Sequence, residues 1–260
     1  MTLRLVDSTP SPTQLEPLEP ARRLRRAVMV QRWTDVVFVH WRVDPAEVAR
    51  LLPDGVTVDV FDGSAWIGLV PFSMQGLGFP SLAPLPLVGA FPEVNVRTYV
   101  RAGDRRGVWF CSLDVDRFLP VAVARIAYRL PYFAGDVTHH RAGDVLTTSV
   151  TRRWPSHPSA RTSMAVRTGL PVDASLPLHR FLTARWGLVV ASRTGRLRWA
   201  PVDHPAWPLH AAEVLHLDDG LVAAAGLHIE GPPELALWSP GVPVRIGRPK
   251  RLRPEPRRSS

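Results

Sequence analysis

The run EVNVRTYVR, Glu93–Arg101, alternates polar and apolar side chains with a period of two. That period is the signature of a β-strand. One face carries Val94, Val96, Thr98 and Val100 and belongs to a core. The other carries Glu93, Asn95, Arg97, Tyr99 and Arg101, and it either meets solvent or lines a cavity. Glu93 and Arg97 lie roughly 13 Å apart along such a strand, too far to pair directly. Across a cavity they can hold the two ends of a small polar ligand, with Arg97 as a planar fork for a carboxylate.

Reading outward from this strand gives more of the same. Gly103 and Gly107 bracket a charged turn, and Val108–Val115 returns. Val137–His140, Val145–Arg153 and Arg161–Thr168 read as further strands, as does Asp35–Val43 upstream. Asp44-Pro45-Ala46-Glu47 opens a short helix, with Asp as cap and Pro at the first helical position. Val56–Phe61 and Ser64–Phe72 flank Asp62-Gly63 and predict a hairpin. Residues 75–92 read as a long Pro/Gly loop, Leu119–Tyr128 and Leu178–Trp186 as helices, and Leu188–Ile246 as short strands. Many short strands with two or three short helices predict a mainly β (α+β) fold, an antiparallel barrel or cone.

The 260 residues suffice for one sizeable core, and 45% hydrophobic against 21% charged residues is ordinary for a globular chain. The formal net charge of +9 is unevenly placed: residues 1–32 hold +3, residues 245–260 hold +6, and the middle is neutral. This divides the chain into a basic Pro-rich tail at 1–30, a barrel domain at 31–247 and a basic tail at 248–260. Specific nucleic-acid binding is not expected from such tails. No apolar run is long enough for a membrane span, and Thr2–Pro20 lacks the apolar core of a signal peptide, so a cytoplasmic protein is expected. The lone cysteine, Cys111, forms no intrachain disulfide and reads as a buried thiol. Lys250 is the single lysine and stands in the C-terminal tail. There is no HExxH, P-loop, GxSxG or GxGxxG motif, so neither a metal nor a cofactor is expected. His40 reads as a hydrogen-bonded structural histidine that could also reach a ligand.

Several longer motifs add a resemblance. His40–Pro45 (HWRVDP), Leu51–Gly55 (LLPDG), Phe61–Phe72 (FDGSAWIGLVPF), Phe91–Val100, Ala124–Phe133 (ARIAYRLPYF), Phe181–Trp186 (FLTARW) and His204–Leu209 (HPAWPL) together resemble the YqjF-like family, a domain of unknown function, over about residues 31–245. That family is similar to the acetoacetate-decarboxylase-like superfamily, which implies a β-barrel or cone around a central cavity. Decarboxylases of this kind carry an R-E-x-x-x-Y-P-K-K run whose first lysine forms a Schiff base with the keto acid. Here the matching run keeps Arg125 and Pro131, but Ile126 replaces the glutamate, Tyr132 the first lysine and Phe133 the second. The cavity glutamate carries over to Glu93, and the N-terminal arginine falls near Thr34.

These readings converge on a barrel protein that binds a small organic acid or related metabolite without a Schiff base. Glu93 and Tyr132 are the candidate proton-transfer groups; Asn95, Arg97, His40 and Arg125 are candidate ligand contacts. A non-covalent acid–base lyase or hydratase is the alternative. A protein-interaction module using the 75–92 loop is another. Whether the chain is an enzyme, and whether it forms a homo-oligomer, is left open.

Overall fold

The computed structural model describes residues 15–80, 90–116, 130–155, 159–192 and 195–252. Thirteen strands are present among them: β1 (Met29–Val43), β2 (Thr57–Val58), β3 (Ala65–Gly78), β4 (Phe91–Ala102), β5 (Arg105–Val115), β6 (Tyr132–Ala142), β7 (Val145–Trp154), β8 (Arg161–Pro171), β9 (Gly187–Ala191), β10 (Leu197–Asp203), β11 (His210–Asp219), β12 (Leu235–Ile246) and β13 (Lys250–Arg251). Three short helices accompany them: α1 (Pro45–Ala49), α2 (Pro177–Thr183) and α3 (Leu221–Ala224). None of these helices is long and apolar enough to cross a membrane. α1 starts as the sequence implies, with the Asp44 carboxylate accepting from Ala46 N at 2.8 Å.

Nine strands close a ring in the order β5-β6-β7-β8-β11-β12-β1-β3-β4, with β4 pairing back onto β5. Closure leaves no free edge in that ring. The pairing is antiparallel except between β5 and β6. β9 and β10 depart from this wall. β9 runs parallel to β5 through Val108 and Leu188, and β10 returns to β12 through Val202 and Ile246. The two strands therefore form a second ring on the outside of β12, β1, β3, β4 and β5.

This arrangement buries the shared wall on both faces. Val37, Val39, Ile67, Leu69, Val94 and Val96 pack inside the nine-strand barrel with Leu146, Val150 and Met164. Val36, Phe38, Val70, Phe72 and Val115 pack on the opposite side with Val202, Trp207 and Val244. Two irregularities set which side chains meet there. Asp35 adopts φ +50°, and the pairing of β1 with β3 shifts by one residue between Thr34 and Val39, so Trp33 and Phe38 both reach Trp207 despite their odd spacing. Cys111 is likewise extra between the pairs Val96–Ser112 and Arg97–Phe110, which brings Phe110 and Leu113 to one face of β5. Bulges of this kind re-aim side chains without ending a strand.

Three local expectations change. The hairpin predicted at Val56–Phe72 is not formed: β2 pairs with β4 rather than β3, and Phe61 and Ser64 make only an isolated bridge. The cause is Asp59, which is buried against Arg101 of β4 and Arg185 beyond α2 and holds its segment on β4. The loop expected from residue 75 begins later, because Gln75–Gly78 continue β3 beside β1; residues 81–89 lie outside the described residues. The second helix is shorter than expected, ending at Thr183 as Ala184 turns to ψ 80°. The helix read at Leu119–Tyr128 also lies outside the described residues.

Parts of both basic ends are packed. Arg180 donates to the Leu15 carbonyl at 3.1 Å and to that of Glu16, Trp186 Nε1 to Pro17 O at 3.0 Å, and Asp203 accepts from Arg23 Nη1 and Leu24 N. At the other end Lys250–Arg251 pair with Arg198–Trp199.

Among the described residues, one ion pair inside the nine-strand barrel is fully buried. Arg152 on β7 donates from Nε and Nη2 to the two oxygens of Asp114 on β5, at 2.8 and 2.9 Å. Removing one partner of such a pair leaves the other charge unpaired in a low-dielectric core, at a cost of about 3–5 kcal/mol. Arg152→Met is therefore expected to lower stability by about that amount in chemical denaturation, with Arg152→Met/Asp114→Leu recovering part of it. A loss below about 1 kcal/mol for the single variant would contradict this assignment.

Candidate functional site

Between the β1–β3–β4–β5 wall and the β9–β10 pair lies a cavity of about 120 Å³. The polar face of β4 points this way. Glu93, Asn95, Arg97 and Tyr99 are all buried, so that face meets the protein interior rather than solvent. Glu93 and Arg97 line the cavity, together with Tyr132 from the start of β6.

Glu93 is 3% exposed, and its Oε2 accepts from Tyr132 Oη at 3.4 Å. Burial pushes its carboxyl pKa up to about 8, against the pull of the Tyr132 hydrogen bond, and the nearby Asp114 adds to the rise. Glu93 is thus a protonated carboxylic acid at neutral pH. Burial, then the Glu93 carboxyl, also hold the Tyr132 phenol well above its ordinary range.

Arg97 is 8% exposed. Its Nη2 donates to Leu182 O at 3.1 Å and to Tyr99 Oη at 3.3 Å, and its guanidinium carbon stands 5.4 Å from the Phe38 ring centre. Among the described residues no carboxylate pairs with it, and its Nε is buried without an acceptor. The protonated Glu93 supplies no negative charge to balance it.

The other expected contacts divide. His40 is fully buried behind Tyr99, with Nε2 2.7 Å from Tyr99 Oη. Tyr99 Oη donates to Leu182 O at 2.8 Å, which leaves His40 Nε2 as the donor. Burial, and then the Arg97 charge, hold the imidazole neutral. His40 does not line the cavity; it is the structural histidine, seated where Gly68 leaves room, since a Cβ there would approach Nε2 to 2.8 Å. Asn95 is buried on the same face of β4 but outside the lining. Arg125 lies outside the described residues. Cys111 is half-buried, and desolvation of its thiol raises the pKa to about 12, which suits the inert reading.

Three lining residues were not foreseen. Arg185 follows α2, donates from Nε to Phe181 O and from Nη1 to Asp59 Oδ2, both at 2.7 Å, and leaves Nη2 buried without an acceptor. Asp59 also accepts from Arg101 at 2.6 Å; burial raises its pKa, but the arginines outweigh burial and hold it low. Trp33 lines the cavity with its Nε1 also unpartnered. His204 packs its ring at a tilt against Trp186 and Trp207 and is bonded through Nδ1 to Pro205 O; burial lowers its pKa to about 4, so it is neutral. Arg185 stands inside the FLTARW motif, but its partner Asp59 is 126 positions away, and no periodicity links the two.

The family of uncharacterized conserved proteins known as DUF2071 matches residues 30–243. The chain belongs to the DUF2071 family. A relative, the uncharacterized protein YqjF of Bacillus subtilis (strain 168), is 35% identical over 187 residues, 72% of this chain and 76% of that one. Among solved structures, the enduracididine biosynthesis enzyme MppR is similar with a TM-score of 0.64 at 16% identity, covering 95% of this chain and 93% of that one. The acetoacetate decarboxylase of Legionella pneumophila gives 0.62 at 15% identity, covering 95% and 94%. An acetoacetate decarboxylase-like enzyme of Sphingomonas wittichii RW1 gives 0.62 at 17% identity, covering 88% and 94%. At these identities the likeness shows that this DUF2071 chain shares their fold.

The raised Glu93 pKa has a stability consequence of definite sign. Its folded value of about 8 exceeds the ordinary 4.5, so between those values the unfolded chain is ionised while the folded one is not. Stability therefore falls as pH rises across that window, by on the order of 5 kcal/mol in all, and is flat with respect to this group above it. Glu93→Gln removes the effect. The melting-temperature advantage of Glu93→Gln over the parent is expected to widen steadily from pH 5 to pH 8. A difference independent of pH over that range would show that Glu93 is not held protonated.

Proposed function

We propose that this protein binds a small organic anion in the cavity, with Arg97 as the counter-charge and the Glu93–Tyr132 pair as a proton donor and acceptor. The observation that carries the proposal is an imbalance. Trp33 Nε1, Arg97 Nε and Arg185 Nη2 are buried N–H groups without acceptors, all on residues that line one cavity. A buried donor left unmade costs about 1–3 kcal/mol, more when charged. A buried guanidinium without an anion costs several kcal/mol. An anionic, acceptor-rich ligand offsets both.

The fold supports this reading by analogy: MppR, which shares it, has been solved with pyruvate and with a condensation product of pyruvate and imidazole 4-carboxaldehyde. The chemistry here differs from Schiff-base decarboxylation, because no lysine lines the cavity and Lys250 is exposed on β13. A second reading, acid–base turnover without a covalent intermediate, is favoured by the Glu93 pKa near 8. A group that titrates close to the working pH both gives and takes protons readily.

Thermal-shift titration with pyruvate, other small carboxylates, keto acids and lactones tests the proposal. Ligands that bind the native state raise the melting temperature by mass action. At least one carboxylate is expected to do so, the shift disappearing in Arg97→Ala and shrinking above pH 8, where ionised Glu93 repels the anion. Absence of any shift across the set, or shifts unchanged in Arg97→Ala, would overturn the assignment.

A further inference from the structure

Resting on that reading, we infer that the ligand is a monocarboxylate with an apolar body, and that Arg185, held in place by Asp59, is the second donor that grips its carboxylate.

The charge count comes first. Arg97 contributes one positive charge with no carboxylate partner among the described residues. Arg185 also faces the cavity, but its charge is met by Asp59 at 2.7 Å. Arg101 and Arg106, the other arginines beside Asp59, stand outside the lining, with side chains 40% and 12% exposed. The remaining lining groups that can titrate are neutral around pH 7: Glu93 is protonated, His204 is unprotonated and Tyr132 keeps its proton. The cavity thus presents one unbalanced positive charge. A dicarboxylate or a phosphate monoester would bring a second negative charge into a buried space that has no cation for it.

The donors come next. The guanidinium carbons of Arg97 and Arg185 stand 5.6 and 4.7 Å from the centre of one ring, that of Tyr99. Both residues line the one cavity, and each carries one unpartnered N–H group. A carboxylate has two oxygens to accept from them, and charge-assisted bonds of this type are the strong ones. Asp59 is the positioning residue: by engaging Nη1 of Arg185 while Phe181 O engages Nε, it leaves Nη2 as the group still to be satisfied.

The wall comes last. Apart from the groups already named and the Gln31 amide, the lining is mainly Met29, Met74, Phe110, Leu113, Val202, Ile246 and similar side chains. The Thr183 hydroxyl is already committed to His179 O at 2.7 Å. A polyhydroxylated acid would leave most of its hydroxyls unpaired against such walls, whereas an apolar body gains about 25 cal/mol for each Å² removed from water. The volume of about 120 Å³ admits on the order of ten non-hydrogen atoms. At the far end, roughly 13 Å along β4 from Arg97, the protonated Glu93 offers one O–H to a carbonyl or hydroxyl.

Calorimetric titration of the unmodified full chain with four probes tests the inference: phenylacetate, phenylacetamide, succinate and gluconate. Phenylacetate is expected to bind at least tenfold more tightly than the other three. Arg185→Lys, which can keep the Asp59 ion pair but lacks the second terminal nitrogen of the guanidinium fork, is expected to weaken phenylacetate about tenfold while the fold, read by circular dichroism, stays intact. Succinate or gluconate binding as tightly as phenylacetate, with that binding lost in Arg97→Ala, would overturn the ligand class and leave the anion site standing. Phenylacetate affinity unchanged in folded Arg185→Lys would overturn the role of Arg185. Failure of every carboxylate to bind would overturn the underlying anion-binding reading as well, and so is distinct from the first two results.

Discussion

The Arg97 guanidinium sits inside the molecule with no carboxylate beside it among the described residues, and much of the surrounding architecture is arranged around that charge. Leu182 O and Tyr99 Oη accept from it, and the Phe38 ring lies under it. The carbonyl it uses is near the end of α2, so the same bond docks that helix onto β4. Tyr99 in turn donates to that carbonyl and accepts from His40, which remains neutral partly because Arg97 is near. Arg185 packs on the same ring, its guanidinium carbon 4.7 Å from the Tyr99 centre, and donates to Phe181 O, one residue before Leu182 in α2. A buried cation with several neutral acceptors and no anion is a costly thing for a fold to retain. The cost is intelligible if an anion completes it.

The cavity that holds this charge exists because the wall of the barrel is used twice. The nine-strand ring fills its own interior with Val, Leu, Ile and Met side chains, and β9 and β10 cover the outside of five of its strands. Between the two layers the side chains are mixed: Phe38, Phe72 and Trp207 pack closely, while Glu93, Arg97, Tyr132 and Arg185 surround the remaining space. The bulges at Asp35 and Cys111 matter here, because each changes which residues of its strand face that space. Gly187 contributes in a different way: its missing Cβ leaves room for the Trp199 ring, which would otherwise lie 2.2 Å away.

Much of this was legible in the sequence. The period of two in Glu93–Arg101 separated the core-facing valines from the polar face that carries Glu93 and Arg97 to the cavity, and the number of short strands implied a barrel. Glu93, Arg97 and Tyr132, taken from strand alternation and from a family resemblance, do meet at one cavity. What was not legible was non-local. Asp59 looks like one polar position in an alternating strand, yet its arginines come from β4 and from beyond α2, and that ion cluster redirects β2 away from the expected hairpin. Alternation also failed across bulges: Trp33 and Phe38 have opposite parity but share a face. His40 and Asn95 lie close to the site in sequence pattern, yet the one is covered by Tyr99 and the other lies outside the lining.

The central claim is that an anion belongs beside Arg97. Crystals of the protein soaked in sodium bromide test it without any knowledge of the natural ligand, since bromide is located directly by its anomalous scattering. The account predicts an anomalous peak inside the cavity within hydrogen-bonding distance of Arg97 Nε, with Arg185 Nη2 as a second contact. A cavity free of bromide, with a carboxylate of the chain itself seated against Arg97, would contradict it.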